Sequence, residues 1–196
     1  MSQSLASLLN EIRACRLCEA HLPLGPRPVL RAASSARILI AGQAPGTRVH
    51  ASGVPWQDPS GDRLRAWLGL KPEVFYDESN VAIVPMGFCY PGRAGGGDAP
   101  PRPECAPAWR HRVLAHLPNI RMTVVIGAYA QAWHLAERRK ATLGQTVEAW
   151  RQYAPEHFPL PHPSPRNQRW LNDRPWFEAE VVPTVQRRVE EVLSSP

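Results

Sequence analysis

Along the chain, apolar residues recur at two different spacings, and the switches between them predict a succession of strands and helices. Leu5, Leu8, Leu9 and Ile12 repeat at helical spacing and predict an amphipathic helix over residues 4–18. Arg37–Ala41, RILIA, is a short apolar run closed by glycine, the pattern of a strand buried on both faces. Asn80–Val84 and Met122–Gly127 repeat it, and Phe158 and Leu160 open a fourth strand. Between them, a helix starts at Ser60 or Asp62 with Leu64, Trp67 and Leu68 inward. Further helices are predicted over residues 106–116, Ala128–Glu137, Thr146–Tyr153 and 176–194. Alternating strands and helices imply an α/β fold: a three-layer αβα sandwich with a central four-stranded parallel sheet. There is no internal repeat and no dividing linker, so residues 1–196 read as one domain. Such sheets bind ligands at the carboxyl ends of their strands. The irregular loops follow strands one, two and four and should gather at one rim.

Composition narrows the partners. The formal net charge is +6, with arginine far outnumbering Lys71 and Lys140. That balance suits a phosphate-bearing partner, although a GC-rich genome would also produce it. No apolar run is long enough to span a bilayer. The N-terminus lacks the basic start and apolar core of a signal peptide, so a cytoplasmic protein is expected. Its four cysteines then read as reduced ligands or core residues, not disulfides.

Five stretches carry candidate chemistry. The first strand ends in Gly42-Gln43-Ala44-Pro45-Gly46, a tight turn whose backbone can approach a ligand. A plain strand-to-helix turn fits equally, and the glycine spacing is not that of a dinucleotide site. A loop then carries Trp56, and the second strand ends in Pro85-Met86-Gly87-Phe88-Cys89. After the fourth strand, His162 sits in a proline-stiffened loop that continues through Ser164 to Arg166 and Asn167. Prolines reduce the entropy lost on ordering such a loop, which suits a presented imidazole beside a phosphate grip. A proline-rich loop with a surface histidine is the plainer reading. Arg93–Pro103 reads as a mobile loop, and Cys15-Arg16-Leu17-Cys18 can bring two thiolates to one metal or cluster.

GQAPG, then GVPW with SGDRLRAWLG, then HPSPRN together resemble the uracil-DNA glycosylase superfamily over roughly Ile38 to Val192. GVPW and HPSPRN are similar to its single-strand-selective monofunctional branch. The cysteines resemble its iron–sulfur branch, with C-x2-C near the N-terminus and C-x15-C after strand two: Cys15, Cys18, Cys89 and Cys105. The resemblance implies a structural 4Fe-4S cluster on these four, with a structural zinc or buried thiols as alternatives. It further implies a monomeric DNA-binding enzyme that flips a damaged base from the stack and cleaves its N-glycosidic bond. His162 would donate to the departing base and Gln43 hold water. Gly42, Ala44, Pro45, Trp56, Pro85, Met86 and Gly87 would surround the base, and Ser164, Arg166 and Asn167 would grip DNA.

Two positions depart from the family pattern. Gln43 stands where the iron–sulfur branch has Glu, and Ala44 where other branches have Asp or Asn; glutamine holds water but is no general base. Pro85 stands where many members read uracil with Asn, which leaves base reading to the backbone of Met86, Gly87 and Phe88. The base could then be uracil or another deaminated base. The Arg93–Pro103 loop has no histidine, so no covalent DNA adduct is expected. The alternatives are a non-catalytic binder of damaged or abasic DNA, and a small-molecule hydrolase on the same scaffold.

Overall fold

The computed structural model describes residues 3–194. Helix α1 (Leu5–Arg13) starts at Ser4, whose hydroxyl accepts from the Ser7 amide, and buries Leu8, Leu9 and Ile12. It stops short of residue 18. The next large apolar residue, Leu17, is 58% exposed, so burial no longer supports another turn. Cys15 and Cys18 fall in the irregular segment beyond. Strand β1 (Ile38–Ala41) leads through α2 (Thr47–Ser52), α3 (Pro59–Leu68) and α4 (Pro72–Phe75) to β2 (Val81–Ile83). The stretch expected as a mobile loop contains a two-residue antiparallel hairpin, β3 (Arg93–Ala94) and β4 (Gly97–Asp98). Then come α5 (Cys105–Ala115), β5 (Met122–Ile126), α6 (Gly127–Leu135), α7 (Leu143–Glu148), β6 (His157–Leu160), α8 (Gln168–Asn172) and α9 (Val182–Ser194).

The main sheet has the order β2-β1-β5-β6, with every neighbouring pair parallel. Side chains of a strand alternate between faces, and the two cores divide accordingly. Ile38, Ile40, Val124, Ile126, Phe158 and Leu160 pack with Leu64 and Trp67 of α3 and Val185 and Val189 of α9. Leu39 and Ala82 pack on the other side with Leu8 and Ile12 of α1 and Trp109 and Val113 of α5. The fold is therefore the three-layer α/β sandwich that the alternation predicts.

The long C-terminal helix is regular only from α9 onward. Pro183 has no amide hydrogen for the carbonyl four residues back, and the chain makes one wider π turn over Phe177–Val181 first. The helix expected over Thr146–Tyr153 starts earlier. Thr142 and Gln145 form a reciprocal capping box there, and a 3-10 turn over Trp150–Gln152 follows. The strand order reverses between β1 and β5, where open α/β sheets keep their ligand crevice.

Candidate active site

A cavity of about 260 Å³ opens at the carboxyl ends of β1, β2 and β6. That is just below the ~300–1,000 Å³ of drug-sized ligand sites and suits one small planar group. Gly42, Gln43, Ala44 and Pro45 form one wall; Trp56, Pro85, His162, Ser164 and Arg166 are also in the lining. Residues far apart in sequence thus meet at the rim.

Trp56 is held by its neighbours' smallness. It is a non-glycine residue at φ 58°, a backbone region that costs roughly 1 kcal/mol or more. Its carbonyl accepts from Arg65 Nη1 and from the Tyr76 hydroxyl, each at 3.3 Å. A Cβ on Gly61 would stand 1.7 Å from that carbonyl oxygen, and one on Gly42 would stand 2.9 Å from the indole Cζ2. Glycine is therefore required at 61 and lets the indole lie flat on the turn at 42. The indole faces the His162 ring with centroids 5.6 Å apart at an interplanar angle of 35°.

The His162 loop is braced from within. Asn167 Nδ2 donates to the His162 carbonyl at 2.7 Å, and Ser164 Oγ accepts from the Arg166 amide at 3.3 Å. Asn167 does not line the cavity; its amide fixes the loop that carries the imidazole. Burial holds His162 below the usual imidazole range, while the carboxylates of Asp58 and Asp98 pull the other way. The ring is neutral at pH 7 and has one N–H to donate. Arg166 is exposed at the mouth, and its Nη1 donates to the Gly96 carbonyl of the hairpin at 2.9 Å. Gln43 Nε2 donates to the Ala99 carbonyl at 3.1 Å, which leaves the amide oxygen as an acceptor.

The end of β2 does not offer the backbone donors expected of it. The Met86 amide donates to the Gly42 carbonyl at 2.8 Å, and the Gly87 amide to the Gln43 carbonyl at 2.9 Å. The Phe88 amide donates to Cys105 Sγ at 3.3 Å. All three hydrogens are engaged in joining β2 to the first turn and to α5. Met86 and Gly87 lie outside the cavity lining. The Pro85 carbonyl accepts from Arg110 Nη1 at 2.9 Å, and the Val84 carbonyl from the same nitrogen at 2.7 Å. Arg110 is fully buried, and its pKa falls to about 10 because burial penalises its charge. Its other terminal nitrogen meets His134 Nε2.

Sequence reading missed two carboxylates in the cavity lining, Asp58 and Asp98. Asp58 caps α3, with Oδ1 accepting from the Gly61 amide at 2.8 Å. Asp98 lies on β4, inside a stretch whose glycines and prolines signalled only a loop.

Comparison with protein-family models finds that residues 30–186 match the Uracil DNA glycosylase superfamily. The chain belongs to that superfamily. The match runs from the segment before β1 into α9 and includes every residue of the cavity lining except Val29. Membership in the superfamily supports a glycosylase-type hydrolase that acts on DNA in base excision repair. No helix among the described residues is long and apolar enough to cross a membrane.

Like the rim, the four cysteines of this glycosylase-family chain come together. Cys15, Cys18, Cys89 and Cys105 all line one small cavity of about 20 Å³, walled by Leu17, Leu22, Phe88 and Trp109. As placed, the described His, Cys, Asp and Glu side chains form no group of three close enough to hold a metal ion. Burial, with smaller contributions from the neighbouring thiols, pushes Cys89 up to about 11 and Cys105 up to about 12. Bare thiols there stay protonated at neutral pH, so a metal would have to displace their protons. Four convergent soft donors, an apolar wall and an N–H···S bond to Cys105 fit a sulfur-ligated cluster.

Proposed function

We propose that this superfamily member is a monofunctional DNA glycosylase that excises uracil or another deaminated base. The observation that carries the reading is the convergence of His162, Trp56 and the Gln43 turn on one cavity at the sheet's rim. The target base must leave the stack to enter it. There the Trp56 indole offers a flat face, and neutral His162 donates a hydrogen bond to the base as negative charge develops on it. That bond strengthens toward the transition state and so accelerates cleavage. Arg166 and Ser164 at the mouth grip the DNA backbone. Cys15, Cys18, Cys89 and Cys105 would hold a structural 4Fe-4S cluster, whose contribution is to tie the N-terminal segment to the sheet.

The test is base release from DNA containing uracil, hypoxanthine, xanthine or mismatched thymine, under single turnover with enzyme in excess. His162→Ala is expected to slow release by ~10²–10³-fold, the usual cost of one transition-state donor, with an unchanged melting curve. Absence of release from all four substrates sinks the enzyme reading. A specific observation favours a second reading. No donor at the end of β2 is free to read a base edge, and Ala44 supplies no acid. Such a lining suits a protein that binds damaged or abasic DNA without cutting. Tight binding to abasic DNA in a gel shift, without base release, would select it.

A further inference from the structure

We propose that Asp98, on the β3–β4 hairpin, is the carboxylate that aligns and deprotonates the attacking water. The inference rests on the glycosylase reading above and supplies the group which that reading lacks.

Cleavage needs a water held against the sugar, and the turn after β1 carries Gln43 and Ala44 where an acid would stand. The only carboxylates lining the cavity among the described residues are Asp58 and Asp98. Asp58 has one oxygen committed to the α3 cap, where it accepts from the Gly61 amide. The Asp98 carboxylate makes no hydrogen bond or ion pair among the described residues, and the residue is exposed at the cavity's mouth. One of its oxygens lies 3.3 Å from where a Cβ on Gly46 would be.

The hairpin is tethered to both motif loops. Gln43 Nε2 bonds the carbonyl of Ala99, the residue after Asp98, and Arg166 Nη1 bonds that of Gly96, two residues before it. The glutamine that replaces an acid in the first turn thus anchors the backbone beside a different acid. The two tethers hold Asp98 in the same cavity lining as His162. The charged or titratable groups facing this point are Asp58 of the α3 cap, His162 and Arg166 of the loop after β6, and Arg48 of α2 on the outer side.

In the step, the water oxygen bonds C1′ of the deoxyribose as the C1′–N bond breaks. The bonding pair leaves with the base nitrogen, and His162 stabilises that anion. The water gives one proton to Asp98, which releases it to solvent; the base anion takes one proton from solvent, and the products are an abasic hydroxyl and the free base.

The experiment uses the full chain on whichever base the wild type releases, and adds DNA with an uncleavable abasic analogue for binding. Asp98→Asn is expected to slow single-turnover release by ~10²–10³-fold, within the usual range for general-base loss. Its binding to abasic-analogue DNA should stay within about threefold, and its melting curve should match the wild type. Asp98→Glu should recover part of the rate. An Asp98→Asn protein that releases base within threefold of wild type overturns the proposal. So does one whose base preference changes while its best rate is kept, since Asp98 would then read the base. A wild type that releases no base overturns the glycosylase reading itself, and this proposal with it.

Discussion

At the scale of single residues, the site depends on what is missing as much as on what is present. Trp56 keeps its left-handed backbone only because Gly61 has no side chain. Gly61→Ala would place a methyl against a backbone oxygen at 1.7 Å, which cannot swing aside as a side chain can. We expect it to cost about 2–4 kcal/mol, in the range of forced overpacking and strain. Urea unfolding reads that loss, and indole fluorescence should report a moved Trp56. His162 was legible in sequence because proline spacing marks a rigid loop. The roles of Met86 and Gly87 were not, because hydrogen-bond partners far along the chain decide them. Nothing local tells that an amide will be engaged by a carbonyl forty residues away.

Among elements, the cysteine cavity joins the tail of α1, the loop after β2 and the first turn of α5. Their two spacings were readable from sequence, and the fold brings both pairs to one place. A cluster there predicts a brown protein with broad visible absorbance. Cys105→Ser should lose that colour and open residues 14–22 to limited proteolysis, for instance after Arg16. A colourless protein with stoichiometric zinc would indicate the other metal, and a colourless metal-free one would leave four buried thiols. Strands and long helices were legible because burial on one or both faces imprints a period. The helix α2, the short α8 and the hairpin were not. Each is too brief to carry a period, and tertiary contacts hold them in place.

Taken whole, the molecule carries an unusual set of buried bases. Arg110 has no carboxylate partner among the described residues. It bonds two strand carbonyls and His134, whose pKa falls to about 3 through burial and the guanidinium beside it. The ordinary imidazole value lies at 6.5, so between those values the unfolded chain binds the extra proton and the folded one does not. Stability is therefore complete above pH 6.5 and falls as pH drops toward 3. His134 alone should remove about 2 kcal/mol by about pH 5. His50, His157 and His162 are shifted in the same direction, all by burial first. Urea midpoints at neutral and acid pH check this, and His134→Gln should flatten the decline.

The hairpin at the mouth hangs from one amide and one guanidinium, while the floor below is fixed by the sheet. Entrance width and water alignment are therefore coupled. Cutting either tether frees the strand that carries Asp98, so Arg166→Ala should loosen the entrance and slow base release together, while the indole and imidazole beneath keep their places.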